Sequence, residues 1–114
     1  MPGSRRRGAG AATSERGVSD SSEPACLEAV IRGRVQGVGF RWWVLKLARG
    51  RGLVGRVSNQ PDGTVLLKAE GPRDRLEELA EGLHRGPIHA IVTGVDLRWS
   101  TYLGQWEDFN IDHL

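Results

Sequence analysis

Cysteine, histidine and long apolar segments are scarce in this sequence of 114 residues. The single cysteine, Cys26, has no partner for an internal disulfide, so a reducing, cytoplasmic setting is the default. The three histidines, His84, His89 and His113, share no ligand spacing with Cys26 or with each other, and we predict no metal and no other cofactor. No stretch approaches the roughly 20 apolar residues of a membrane helix. We therefore expect neither a membrane span nor a secretory signal.

A large excess of charge of either sign is also absent. The chain has 16 basic and 14 acidic residues, which gives a net charge of +2 at pH 7. Residues 1–25 and residues 26–114 each contribute +1 to this total. Such a balance provides no large basic face for a nucleic-acid backbone or an anionic membrane. We expect a monomer that binds a small molecule, and we expect it to bind neither nucleic acid nor a membrane.

Low complexity separates the first 25 residues from the rest of the chain. Residues 1–25 are rich in Arg, Gly, Ser and Ala and show no apolar period, which predicts a disordered extension. Residues 26–114 are long enough to form one domain with a core. The sequence therefore predicts a single folded domain that follows a low-complexity N-terminal extension.

The periodicity of apolar residues predicts an α+β fold. Alternation over residues 27–35 indicates a first strand, and apolar positions between Phe40 and Ala48 recur at helical spacing. The following segments are predicted as a two-stranded hairpin, a second amphipathic helix, a strand and a short strand, at residues 53–58 and 64–69, after Pro72, at 91–99 and at 108–112. The order β-α-β-β-α-β is that of a ferredoxin-like sandwich, in which two helices cover one face of a mostly antiparallel sheet.

One glycine-rich segment joins the first strand to the first helix. The segment Gly33-Arg34-Val35-Gln36-Gly37-Val38-Gly39-Phe40-Arg41 directs backbone N–H groups to one spot, where the helix dipole favours negative charge. Gly37 and Gly39 permit a tight backbone curve, and Arg41 adds a guanidinium fork at the same end of the helix. We interpret this junction as a site for one doubly charged tetrahedral anion, which phosphate fits best. The structural alternative is a simple turn followed by a solvated arginine.

A second polar residue, Asn59, lies where the first strand of the hairpin ends. Its amide can accept a hydrogen bond from one partner and donate a hydrogen bond to another. The turn Pro61-Asp62-Gly63 follows almost directly. The alternative role for Asn59 is therefore structural, because an asparagine before a turn often bonds to the local backbone.

These two segments resemble the signatures of the acylphosphatase family. Gly33–Arg41 is similar to the first signature, Gly-x-Val-Gln-Gly-Val-x-Phe-Arg. Gly55–Val65, followed by Glu70-Gly71, is similar to the second, a Gly-x-Val-x-Asn-x-x-Asp/Gly-Gly-x-Val pattern that ends in Glu-Gly. The resemblance covers about residues 27–112. It extends to acylphosphatase-like domains inside larger carbamoyl-transfer maturation proteins, which are parts of long chains.

The resemblance implies an enzyme that hydrolyses the carboxyl–phosphate anhydride of acyl phosphates to carboxylate and inorganic phosphate, without a metal and by direct attack of water. The implied catalytic residues are Arg41, which would bind the phosphoryl group, and Asn59, which would position the water; their separation of eighteen residues also fits. The implied phosphate-binding loop consists of Arg34, Val35, Gln36, Gly37, Val38, Gly39 and Phe40. Inorganic phosphate would be both product and inhibitor. Arg56 and Gln60 differ from residues common in the family, so the resemblance leaves the preferred acyl group open.

Two other classes of function share parts of this pattern. One is an anion-binding regulatory module of the same fold without turnover, which would not need Asn59 at the spacing found here. The other is an RNA-binding module. This alternative is suggested by Phe40, Trp42, Trp43 and the arginines near the N-terminus. Such modules carry their stacking aromatics on central strands, whereas these aromatics fall at a strand–helix junction. Trp42 lies off the apolar stripe of its helix, and we expect it to pack beside the sheet edge rather than to form a wall for an acyl group.

Overall fold

The computed structural model describes residues 22–112. Of the extension predicted for residues 1–25, the first 21 residues lie outside the described residues, as do His113 and Leu114. The first strand begins at Pro24, two residues before the predicted start of the domain. Neither helix in the described part of the chain, at 11 residues each, has the length and apolar character of a membrane-spanning segment.

The described chain contains five strands and two helices in the predicted order. In sequence they are β1 (Pro24–Arg34), α1 (Phe40–Gly50), β2 (Val54–Asn59), β3 (Val65–Pro72), α2 (Arg73–Leu83), β4 (Ile91–Thr101) and β5 (Phe109–Ile111). Pro72 ends β3 and is also the N-cap of α2, where its missing N–H is no loss. The α+β class is therefore confirmed, including the short last strand.

The strands form one five-stranded sheet in the order β4-β1-β3-β2-β5. β1 pairs antiparallel with β3 and β4, β2 pairs antiparallel with β3, and β5 is parallel to β2. The sheet is mostly antiparallel, as the ferredoxin-like fold requires. Since β1 and β2 both run antiparallel to β3, their C-terminal ends lie at the same end of the sheet. The loop that follows β1 and the residue that ends β2 are thereby brought together.

Alternation along the strands buries one face of the sheet beneath both helices. Leu27, Ala29 and Ile31 of β1 point to that face and are fully buried. The helices supply the opposing layer of the core, which consists of Phe40, Val44, Leu45 and Ala48 of α1 and Leu76, Leu79, Ala80 and Leu83 of α2. Burial of each large side chain contributes about 1.5–3 kcal/mol. This packing anchors the beginning of α1 against the sheet, because Phe40 is the first residue of that helix.

Residues 102–108, which connect β4 to β5, form a strap over the other face of the sheet. The fully buried carboxylate of Glu70 in β3 accepts hydrogen bonds from the backbone N–H groups of Leu103 (2.8 Å) and Gln105 (3.0 Å). Both bonds are charge-assisted, which offsets the cost of burying the carboxylate. Glu70 therefore holds the strap that brings β5 to its place beside β2.

Replacement of Glu70 by glutamine is expected to lower the free energy of unfolding by about 1–3 kcal/mol, since an amide can satisfy only one of the two N–H donors. Urea unfolding of the variant and the wild type measures the difference. Glu28→Gln is the matched control, because Glu28 is half-buried on the same face of the sheet in β1. An equal loss in both variants would contradict the assigned role of Glu70.

Candidate active site

A cavity of about 170 Å³ opens where the loop after β1 meets the end of β2. The residues that line it are Val35, Gly37, Gly39, Phe40, Arg41, Trp42, Asn59 and Ile111. Arg41 and Asn59, which were predicted to act together, therefore belong to the wall of one cavity although they lie on different elements. The parallel directions of β1 and β2 account for this meeting.

The loop before α1 depends on two glycines in left-handed conformation. Gly37 has φ 73° and Gly39 has φ 78°, values that other residues rarely adopt. No atom lies within 4 Å of the place that a Cβ would take at either residue, so the requirement is conformational rather than steric. Gly39 is the N-cap of α1, and its carbonyl accepts a hydrogen bond from the N–H of Trp43 at 3.0 Å. The chain thus curls directly into the first turn of the helix.

The first turn of α1 has no capping side chain. Its N-cap is a glycine, and no acidic residue lies in the turn. The first N–H groups of a helix have no intrahelical acceptor, and the helix dipole adds partial positive charge at the same place. Because Gly39, Phe40 and Arg41 all line the cavity, these donors lie at its wall. The arrangement suits an anion as the capping group.

Two apolar side chains anchor the loop from below. Val35 and Phe40 are each only 1% exposed, and the Phe40 ring packs edge-on against the ring of Trp43 with 5.5 Å between centroids. Since these side chains are committed to the core, what Val35 and Phe40 offer to a ligand is their backbone. The position of that backbone is fixed by the packing beneath it.

Gln36 joins the loop to the hairpin turn that follows Asn59. Its side-chain amide donates hydrogen bonds to the backbone carbonyls of Gln60 (2.8 Å) and Thr64 (2.9 Å). The same two residues close the turn, because the N–H of Gln60 donates to the carbonyl of Thr64 at 2.9 Å. Gln36 thereby sets the distance between the loop and the hairpin that carries Asn59.

Replacement of Gln36 by methionine, which has a similar length but no donors, is expected to lower kcat/KM about tenfold through loss of alignment. The free energy of unfolding should fall by only about 1–2 kcal/mol, because each of the two carbonyls keeps a backbone N–H donor within the turn when Gln36 is replaced. Steady-state kinetics and urea unfolding on one preparation give both values. Gln105→Met is the control, since its exposed side chain lies in the strap. Unchanged kcat/KM in Gln36→Met would contradict the alignment role.

Neither polar head group of the predicted catalytic pair has a partner among residues 22–112. The half-buried guanidinium of Arg41 forms no ion pair or hydrogen bond within this part of the chain. The side-chain oxygen of Asn59 is buried and also lacks a hydrogen bond. An unpaired buried oxygen costs about 1–3 kcal/mol, and such atoms are rare in folded proteins. Asn59 therefore does not serve the turn in the way that the structural alternative required.

The turn after Asn59 is held by Asp62 instead. The Asp62 carboxylate accepts hydrogen bonds from the hydroxyl of Thr64 (2.6 Å) and from its backbone N–H (3.0 Å). These bonds, the hydroxyl first, hold the pKa of the Asp62 carboxyl below its ordinary value. A lowered pKa means that the stabilisation is complete above the ordinary pKa of an aspartate and is lost as the pH falls through the lowered value. The turn is thus fully braced at neutral pH.

Charge in the wall of the cavity comes from Arg41, since no carboxylate and no histidine is among the lining residues. Across residues 22–112, no three His, Cys, Asp or Glu side chains are grouped as a metal site would need. The guanidinium fork and the free N–H groups of α1 make the cavity positive. A dianion with several acceptor oxygens is the ligand that matches these donors.

The structure separates the predicted loop residues into two groups. Val35, Gly37, Gly39 and Phe40 line the cavity, whereas Arg34 is exposed at the end of β1 and Val38 packs against the core. The side chain of Gln36 is turned to the hairpin. Ile111 was missed by sequence reasoning, because its place in the wall depends on the parallel pairing of β5 with β2.

The expectation that Trp42 packs beside the sheet edge is wrong. Trp42 is 63% exposed and forms part of the cavity wall. The packing role belongs to its neighbour Trp43, which is half-buried against the core. The signal was present in the sequence, since Trp42 lies off the apolar stripe of α1 and directly follows Arg41.

The described residues form an α+β domain with a cavity lined by Arg41, the start of α1 and an unpaired asparagine, a set of donors that suits a phosphate-like anion. Comparison with known proteins agrees, because residues 27–111 match the family model described as acylphosphatase. The chain belongs to the acylphosphatase family, which consists of hydrolases that act on the anhydride bond of acyl phosphates.

Individual relatives show the same likeness along most of the domain. An acylphosphatase of Acidothermus cellulolyticus is 49% identical over 90 residues, which are 76% of this chain and 86% of that protein. The crystal structure of acylphosphatase from Bacillus subtilis is similar with a TM-score of 0.75 and 36% identity, over 77% of this chain and 98% of that one. Full-length HypF is similar with a TM-score of 0.73 and 26% identity, over 85% of this chain but only 12% of its own length.

Proposed function

We propose that this chain hydrolyses acyl phosphates by holding the phosphoryl group on Arg41 and the loop 34–40 while Asn59 positions the attacking water. One observation carries the proposal: Arg41 and Asn59 line the same cavity, and neither polar head group is paired within residues 22–112. A structural arginine or asparagine at such half-buried positions would be expected to bond to its own protein.

Hydrolysis of an acyl phosphate requires mainly that the reactants are positioned and that the charge on the phosphoryl group is stabilised. Water attacks phosphorus, the bond from phosphorus to the acyl oxygen breaks, and the electron pair leaves on the carboxylate. One proton of the water passes to a phosphate oxygen, so the products are a carboxylate and inorganic phosphate. A carboxylate leaves readily, so the step needs neither a strong general acid nor a metal Lewis acid. The transition state of phosphoryl transfer is loose, with charge spread over the non-bridging oxygens. The Arg41 fork and the free N–H groups of α1 would hold those oxygens through fixed donors.

Asn59 supplies the second requirement, which is the direction of attack. Its side-chain oxygen is buried, so the two N–H donors of the amide would contact the water and the phosphoryl oxygens. Because Gln36 ties the hairpin to the loop, the water and the phosphoryl group would keep a constant separation. Holding two reactants in a near-attack geometry accounts for a large part of catalysis in such sites.

We further expect the protein to act as a monomer on a small acyl phosphate, with inorganic phosphate as product and inhibitor, in the cytoplasm. The buried free thiol of Cys26 is consistent with a reducing compartment. Size-exclusion chromatography tests the oligomeric state, and fractionation of the source cells tests the location. The predicted extension, residues 1–25, has no assigned role in this scheme.

The decisive assay follows the release of phosphate from benzoyl phosphate, with phenyl phosphate as the monoester control. We expect hydrolysis of the acyl phosphate alone, unchanged rates in EDTA, and competitive inhibition by inorganic phosphate because product and substrate share one set of donors. Activity that disappears on chelation and returns with Mg²⁺ or Zn²⁺ would refute the metal-free scheme. Phosphate binding without any turnover would assign the chain to the anion-binding modules instead.

A further inference from the structure

Trp42 is more exposed than tryptophans usually are in folded proteins. Its side chain is 63% exposed, although tryptophan is mostly buried in folded proteins. It lies in the first turn of α1, directly after Arg41, and it lines the cavity. Because Trp42 lines the cavity, its exposed ring offers apolar surface to a ligand, as aromatic side chains commonly do in ligand-binding cavities.

The apolar part of the cavity wall is concentrated on two residues. Val35 and Phe40 also line the cavity, but at 1% exposure they have little side-chain surface to offer. Ile111 of β5 is half-buried and Trp42 is largely exposed. A ligand whose phosphate is held by the backbone and Arg41 would therefore meet apolar surface on Trp42 and Ile111.

The size of the cavity places the rest of such a ligand at the mouth. An engineered cavity of about 150 Å³ holds one benzene molecule. The present cavity, at about 170 Å³, is only slightly larger, so a phosphoryl group bound at the loop would leave too little room for a whole aromatic acyl group. An attached acyl group would then extend to the rim, where the exposed indole lies. Since no charged residue other than Arg41 lines the cavity, nothing in the lining would pair with a second charge on the acyl group.

We propose that Trp42 determines specificity by forming the wall against which the acyl group lies, and that the preferred substrates are acyl phosphates with a neutral, planar, apolar acyl group. This inference rests on the proposed function of the cavity. The benzoyl group represents the preferred class, and the acetyl group represents acyl groups too small to cover the indole. Contact between two aromatic faces adds to the stabilisation from apolar burial alone.

The first test compares benzoyl phosphate and acetyl phosphate in the wild type, Trp42→Ala and Trp42→Phe. In Trp42→Ala, kcat/KM for benzoyl phosphate should fall about tenfold, mainly through KM, which corresponds to about 1.4 kcal/mol. For acetyl phosphate it should change less than about twofold, and Trp42→Phe should retain most of the benzoyl preference. Alanine is favourable in a helix, so the fold should be kept. Leu103→Ala, which removes an apolar side chain that is 70% exposed in the strap, is the control and should leave both substrates unaffected.

The second test separates this inference from the proposed function by measuring binding without hydrolysis. Phenacylphosphonate and acetonylphosphonate mimic benzoyl and acetyl phosphate, with a methylene group in place of the scissile oxygen. The wild type should bind the phenacyl compound about tenfold more tightly, and Trp42→Ala should remove this difference. Such a result would support the role of Trp42 even if no acyl phosphate were hydrolysed. Equal affinities in the wild type, or an equal loss for both compounds in Trp42→Ala, would overturn it.

Discussion

Replacement of Arg41 by lysine is expected to reduce kcat/KM for benzoyl phosphate by about 10²- to 10³-fold, nearly as much as replacement by glutamine. A lysine keeps the charge but presents a single compact head group, whereas the transferring phosphoryl group needs two donors at a fixed angle. Inorganic phosphate should bind more weakly in both variants, since Arg41 and the N–H groups of α1 hold the same anion. The measurements are steady-state kinetics and a phosphate titration by calorimetry.

The fold should survive both Arg41 variants, because the guanidinium has no partner among the described residues whose loss could destabilise them. Thermal unfolding of the same preparations checks this point. Arg75→Lys is the matched control, as Arg75 is exposed on α2 and distant in sequence from the cavity wall. Near-normal activity of Arg41→Lys would show that charge alone is sufficient and that the fork has no special role.

Asn59→Ala is expected to lower kcat by about 10²-fold or more while phosphate affinity stays within about twofold of the wild type. The amide is assigned to the water, so its loss should affect the transition state far more than the bound anion. The same variant should be as stable as the wild type or more stable by up to about 1 kcal/mol, because it removes a buried oxygen that has no partner. A rate, a phosphate titration and a thermal melt on one preparation give all three values.

The stability of Asn59→Ala distinguishes the two roles considered for this residue. If Asn59 braces the turn, the Asn59→Ala protein should be less stable than the wild type, and its activity should fall only in proportion to the folded fraction. If Asn59 is placed for catalysis and its unpaired oxygen is a cost to the fold, the Asn59→Ala protein should be more stable than the wild type. Asn110→Ala is the control, since Asn110 is exposed on β5 and its side chain accepts only one long, exposed hydrogen bond, from Arg49 at 3.4 Å. An active but less stable Asn59→Ala protein would return Asn59 to a structural role.

The elements of the fold could be read from the sequence because their periodicity is local. Alternation along β1 and the helical spacing after Phe40 depend on neighbouring residues, and both elements were placed correctly to within a few residues. The burial of Leu45 was not predicted, since it depends on α1 lying against β2 and β5. The clamp between Glu70 and the strap was missed for the same reason, as its partners are more than thirty residues apart.

The candidate site likewise has features that the sequence indicates and features that depend on contacts between distant residues. That Arg41 and Asn59 act together was implied by the family resemblance, and the structure brings both to one cavity through the parallel directions of β1 and β2. The bonds from Gln36 to the hairpin are contacts between distant backbone groups, and no pattern in the sequence indicates them. Trp42 was expected to pack beside the sheet edge. Its neighbour Trp43 occupies the available space against the core, so Trp42 is left at the cavity.

The position of β1 in the sheet has a consequence for how the molecule is made. β1 is the first strand within residues 22–112, yet it lies between β3 and β4, and its pairing joins Ala25 to Thr101. The pairing of β1 with β4 requires closure of a long loop, so we expect this domain to fold more slowly than helical domains of its size. On the ribosome, β1 must wait for almost the whole domain to emerge before its second neighbour exists. The pairing of β1 with β4 is therefore expected to form late, after β4 has left the ribosome.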